Sequence, residues 1–127
     1  MKNKALTFAA QGIAAAILFM ASGMKFFGSA DTVAIFQALG MEPAGRFLIA
    51  FIEMGAALLL ISPFAASGAA LAVSVMCGAI IAHCTQIGMV VDDDGGMHML
   101  LLVAVFLASL YVLIARRKEL PIIGGTL

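Results

Sequence analysis

Four runs of mostly apolar residues, about 5–27, 44–62, 64–86 and 97–115, each have the length a helix needs to cross a bilayer, roughly 17 to 25 residues. In lipid the backbone amides of such a run must be satisfied within the run itself, which restricts it to an α-helix packed against other helices. Composition agrees. Of 127 residues, 64% are hydrophobic and 11% charged, with a mean hydropathy of +1.15, more apolar surface than a soluble domain of this size can bury. The expected fold class is all-α: one integral membrane four-helix bundle over residues 1–127, set in a lipid bilayer.

The breaks between the runs give the topology. In residues 31–39, Val33, Phe36 and Leu39 recur at helical spacing against Asp31 and Gln37, the pattern of a short amphipathic helix lying on the membrane interface. Glu42-Pro43 then opens the second span, and Ser62-Pro63 makes a tight turn that leaves spans two and three as antiparallel neighbours. Residues 91–96 form the third loop, where Asp92, Asp93 and Asp94 suit the N-terminal end of span four. Lys2 and Lys4 precede span one and Arg116, Arg117 and Lys118 follow span four, against only Lys25 and Arg46 on the other side. By the positive-inside rule both termini are cytoplasmic, with residues 31–39, Glu42 and the Asp92–Asp94 loop facing the periplasm or cell exterior. The first apolar run exceeds the length of a signal-peptide core and is expected to be retained.

The charge balance excludes one class of partner. Formal net charge is zero and no basic run tracks a phosphate backbone, so nucleic acid is not expected. Cys77 and Cys84 lie on one helical face about 10 Å apart along the axis, too far to bridge, and their spacing is not that of a CxxC thiol oxidoreductase.

Against this apolar background the titratable groups stand out. Glu53 sits near the middle of the second run, about 13 Å below its outer start. An ionisable group at that depth costs a few kcal/mol, so it should face a protein interior or a wet cavity and have a partner. Lys25 lies at the outer end of span one, His83 and Cys84 near the outer end of span three, and His98 at the start of span four. The inner half offers little beyond Gln11. One outward-opening cavity with a ligand or proton site of Lys25, Glu53, His83 and His98 is the economical expectation. Lys25 can bend to Glu53 or extend to the headgroups, and histidine is the side chain suited to proton exchange near neutral pH. Each also has a structural alternative: a hydrogen bond to a neighbouring helix for Glu53, interfacial anchoring for Lys25, capping for the histidines.

His83, Cys84 and His98, with Met20, Met24, Met41, Met89, Met97 and Met99 in the same half, are donors that would suit a soft metal such as Cu(I). Methionine is also ordinary apolar filler, and no ladder focuses these sulfurs on one point, so no metal is assigned. Gly12, Ala16, Gly55, Gly68 and Gly78 are expected to let helices approach closely.

The segment Ser22-Gly23-Met24-Lys25-Phe26, residues 36–41 with Leu39-Gly40, the run Phe51-Ile52-Glu53-Met54-Gly55 followed by Leu58-Leu59-Leu60, and Ala82-His83 resemble the DoxX family of small bacterial membrane proteins, over about residues 5–110. The resemblance implies a four-helix membrane bundle with Lys25, Glu53 and His83 as its polar positions. Where this chain has Gln11, many relatives carry an arginine. The founding type is the small subunit of a thiosulfate:quinone oxidoreductase, and other relatives are associated with redox homeostasis or act as assembly factors. The implied function is an accessory subunit of a quinone-linked or other redox system, with a quinone as the expected ligand. No GxGxxG on a strand and no CxxCH occurs in the sequence, so an electron-carrying cofactor would come from a partner subunit. A small proton-coupled transporter or channel component is the alternative, for which the chain is short unless it forms a homo-oligomer. A membrane assembly factor or interaction protein is the other.

Overall fold

The apolar runs become helices whose ends are set by identifiable residues. The computed structural model describes residues 4–87 and 96–127, with α1 at Lys4–Phe27, α2 at Ala30–Ala38, α3 at Ala44–Leu60, α4 at Ala65–Ala82 and α5 at Met97–Ala115. Helix accounts for 84% of it, and the described residues contain no strand. Asp92, Asp93, Asp94 and Met89 lie outside the described residues.

Gly28 ends α1. Its φ of +70° is one that residues with a Cβ rarely adopt, and it lets the Ser29 N–H turn back onto the Met24 carbonyl at 3.0 Å. Helix α3 stops at Leu60, two residues short of the apolar run. The residue before a proline is pushed out of helical geometry, and Ser62, which precedes Pro63, donates through its Oγ to the Leu59 carbonyl at 2.7 Å and accepts the Phe64 N–H at 3.0 Å. This turn makes α3 and α4 antiparallel neighbours, as the Ser62-Pro63 pair predicts. At its other end α4 widens into a π-helical segment, His83–Ile87.

The four long helices form a ring in which α1 and α4 each pack against both α3 and α5. Among the described residues three stretches are long and apolar enough to cross a membrane: Lys4–Phe27, Ala65–Gln86 and Met97–Ala115. Around an apolar core, burial still differs from that of a soluble protein. Thr7, Gln11, Ser22, Lys25, Arg46, Glu53, His83 and Ser109 are buried, while Phe8, Leu48, Phe51, Leu58, Ile81, Leu100 and Leu107 are exposed. Such an exterior is stable against lipid tails and not against water, which identifies a membrane protein.

Close packing falls mainly to alanine. Ala14, Ala15, Ala56, Ala57, Ala65, Ala69 and Ala72 form the core with Leu18, Leu60, Met76, Val105 and Val112. Of the small residues expected to allow close approach, Gly68 does so: a Cβ there would lie 2.6 Å from the Leu60 nitrogen. Gly12, Gly55 and Gly78 have nothing within 4 Å of such an atom, and Ala16 is exposed. The spacing of small residues does not reveal which face meets a neighbour.

Helix α2 contacts α3, α1 and the π-helical segment, folding over one end of the bundle. Its buried stripe is Thr32, Ile35 and Phe36, with Leu39 packed alongside at half burial. The stripe is therefore turned from the expected Val33–Phe36–Leu39 face, with Thr32, whose Oγ1 accepts the Ser29 Oγ–H at 2.7 Å, buried where Val33 was expected.

Candidate functional site

The site is assembled where α1 ends and α3 begins. Arg46, in the first turn of α3, donates from Nε to both Glu42 carboxylate oxygens at 2.8 and 2.9 Å, stacks on Phe47 at 4.5 Å, and donates from Nη1 to the Lys25 carbonyl. The Gly28 turn leaves room for it, since a Cβ there would sit 3.3 Å from that guanidinium. Arg46 thus ties the last turn of α1 to α3. Two helical turns further along α3 comes Glu53.

From the residue whose carbonyl Arg46 holds, the Lys25 side chain runs inward until Nζ lies 2.8 Å from Glu53 Oε1. The contact is an ion pair at hydrogen-bond distance without the alignment of a hydrogen bond. Lys25 is 8% exposed and Glu53 2%. Of the two sequence options for Lys25, bending to Glu53 is the one adopted.

This pair forms part of the wall of a cavity of about 390 Å³ between α2, α3 and α4, within the size range of small-molecule sites. Ile35, Phe36 and Leu39 of α2 cover it, Ile49 and Val75 add apolar wall, and Thr32, Ser74, His83 and His98 are its other polar groups. His83 is the first residue of the π-helical segment and is buried, whereas the next residue, Cys84, is exposed. π-Helical turns inside α-helices often occur at functional sites. His98 meets His83 from α5 with ring centroids 5.5 Å apart and planes inclined by 36°.

Lys25, Glu53, His98 and Leu102 also line a second chamber of about 140 Å³ against α1 and α5, which Met20, Met24, Met76, Met97 and Asp31 complete. The ion pair is therefore a partition between two chambers. The four expected site residues are brought together; of the soft-metal donors, Cys84 is exposed, Met41 lines the first chamber, and His98, Met20, Met24 and Met97 line the second. Among the described residues no three His, Cys, Asp or Glu side chains are grouped to hold a metal ion.

Sequence reasoning missed Arg46, Thr32, Ser74 and the covering role of α2. The Glu42–Arg46 spacing of four is a visible helical ion pair, but its decisive acceptor, the Lys25 carbonyl, is 21 residues away. Arg46→Gln is expected to lower stability by about 1 to 3 kcal/mol, as loss of buried charged hydrogen bonds does, and to loosen Lys25. Unfolding of wild type and variant in mixed micelles checks this.

Buried charge, two facing imidazoles and an apolar chamber inside lipid-exposed helices define a membrane protein with an internal polar site. The family model for the DoxX-like family matches residues 9–112, which include Lys25, Glu53, His83 and His98, and the chain belongs to that family. No curated protein and no solved structure matches the sequence.

Proposed function

We propose that this protein binds a small apolar molecule with a polar ring substituent, of the quinone class, in the 390 Å³ chamber, and serves as an accessory membrane subunit of a redox system. The observation that carries this is the buried Lys25–Glu53 pair in the wall of an otherwise apolar chamber. The Lys25 ammonium can donate to a ring carbonyl, Glu53 can accept or return a proton, and the His83–His98 pair connects the chamber to the bundle end. Reduction of a quinone to a quinol takes up two electrons and two protons. These residues serve the protons, and a partner subunit carrying a redox cofactor supplies the electrons.

The same proposal takes α3 as a fourth crossing, because its 17 residues rise about 25 Å as one member of the four-helix ring, packed against α1 and α4. The distribution of Lys and Arg puts the Arg116 end in the cytoplasm of a bacterium and the chamber on the periplasmic side of the inner membrane. Both chambers lie toward the same end of the bundle, which favours binding and proton exchange over passage across the membrane.

The test is mass spectrometry of small molecules extracted from protein purified in mild detergent, with added short-chain quinone titrated in parallel. Wild type should carry or bind a quinone, and Glu53→Gln should weaken it about tenfold, the worth of one charge-assisted contact. Gly78→Phe, which introduces bulk where a Cβ meets nothing within 4 Å, should weaken it without unfolding the bundle. Wild type that neither carries nor binds a quinone would reject the assignment and leave transport, assayed by vesicle uptake, or an assembly role.

A further inference from the structure

A second polar constellation occupies the opposite end of the bundle. Gln11 of α1, 6% exposed, donates from Nε2 to the Leu60 carbonyl at the end of α3, at 2.7 Å. Its Oε1 accepts the Arg116 Nε–H at 2.8 Å, from the residue that ends α5. The guanidinium also lies 5.3 Å from the Phe8 ring. Gln11 on the first helix thus positions an arginine from the end of the last.

The same residues line a cavity of about 480 Å³ that opens widely to the surface, bordered on its other side by the Ile61-Ser62-Pro63 turn. Arg116 Nη1 donates to both Glu119 oxygens at 3.0 and 3.2 Å, and no described residue takes Nη2. A guanidinium carries five donors in a fork that fits a phosphate, and Glu119, 44% exposed in its side chain and three residues along the chain, is a weak competitor for it. The depth is right. Helix α5 rises about 28 Å over its 19 residues, near the thickness of the hydrocarbon core, so Arg116 comes at the headgroup layer. Lys4, Arg117 and Lys118 are at the same end. Exposed Phe8, Ile61 and Phe64 flank the cavity and can lie along acyl chains.

We propose that this cavity is a binding site for the phosphate headgroup of an anionic phospholipid, held by the Arg116 guanidinium that Gln11 orients. Anionic lipids are attracted to any basic membrane surface. A site differs in that one arginine matters more than its neighbours.

The experiment is native mass spectrometry of the protein from phosphatidylcholine micelles doped with phosphatidylglycerol. Wild type should retain phosphatidylglycerol over phosphatidylcholine, and Arg116→Gln should cut that retention about tenfold, the effect of losing a charge-assisted fork. Lys118→Gln removes the same charge nearby and should change retention less than about twofold, as an exposed charge does. Arg116→Lys, which keeps the charge and loses the planar fork, should lower retention several-fold, and it decides the matter should Arg116→Gln fail to fold. Equal losses for Arg116→Gln and Lys118→Gln, or unchanged retention in Arg116→Lys, would overturn the site in favour of diffuse surface charge. Displacement of the lipid by an equimolar amount of inorganic phosphate would assign the cavity to a free anion and overturn the lipid.

Discussion

Glu53→Ala is expected to lower the stability of the bundle by about 3 to 5 kcal/mol, the cost of leaving one member of a buried ion pair without its partner. Lys25 cannot escape easily, because its carbonyl is held by Arg46 and its Nζ sits 2.8 Å from the carboxylate in a region where Lys25 is 8% exposed. Lys25→Met should be similarly damaging, since it strands the carboxylate. The double change Lys25→Met/Glu53→Leu should recover most of the loss, because an apolar pair of similar volume suits this interior. Unfolding in mixed micelles of wild type, Glu53→Ala, Glu53→Leu, Lys25→Met and the double variant tests these values, and the set without Glu53→Ala closes the cycle that gives the coupling. Single effects that add to within about 0.5 kcal/mol would remove the pair from the account. The double variant also separates stability from function: it should fold and yet bind no quinone.

Gly68 is the second position where a small change should have a large effect. An added Cβ would lie 2.6 Å from the Leu60 nitrogen, 2.8 Å from Leu59 Cβ and 2.9 Å from the Leu59 carbonyl carbon, and backbone atoms in a tight hairpin cannot step aside. Gly68→Ala should destabilise by about 1 to 3 kcal/mol, as overpacking does, despite the better helix propensity of alanine. Gly68→Leu should prevent the α3–α4 hairpin from closing. Gly12→Ala and Gly55→Ala meet open space and should be neutral or mildly stabilising, by up to about 1 kcal/mol. Thermal unfolding of the set in one detergent compares them. An equal penalty at Gly12 and Gly68 would contradict the packing described for the α3–α4 turn.

The two predictions illustrate where sequence reasoning reaches its limit. Glu53 announces itself because a carboxylate in the middle of an apolar run has few stable situations, and a buried cation is the cheapest of them. The direction of Lys25 is different: a lysine near a helix end serves as an anchor as readily as an ion-pair partner, and the outcome depends on how far α1 and α3 are offset. That offset is set by the Gly28 turn and by Arg46, whose acceptor is on another helix. Glycine spacing fails for a related reason. In Gly12, Gly55, Gly68 and Gly78 the sequence shows four similar residues, and only helix rotation separates the one against backbone from the three in open space.

What the amino-acid sequence determined alone is what local chemistry decides: helical apolar runs, a membrane setting, the Ser62-Pro63 turn, and a set of four polar residues toward one end. These follow because lipid leaves the backbone no alternative to the helix and prolines and glycines act on their own neighbours. The tertiary structure decided the rest. It placed Glu53 on Lys25, rotated α2 to cover a chamber, turned His83 inward and Cys84 outward, and brought Arg116 to Gln11 across 105 residues. Each depends on the rotation and offset of whole helices. Many small contacts fix those together, and none is written at a single position in the chain.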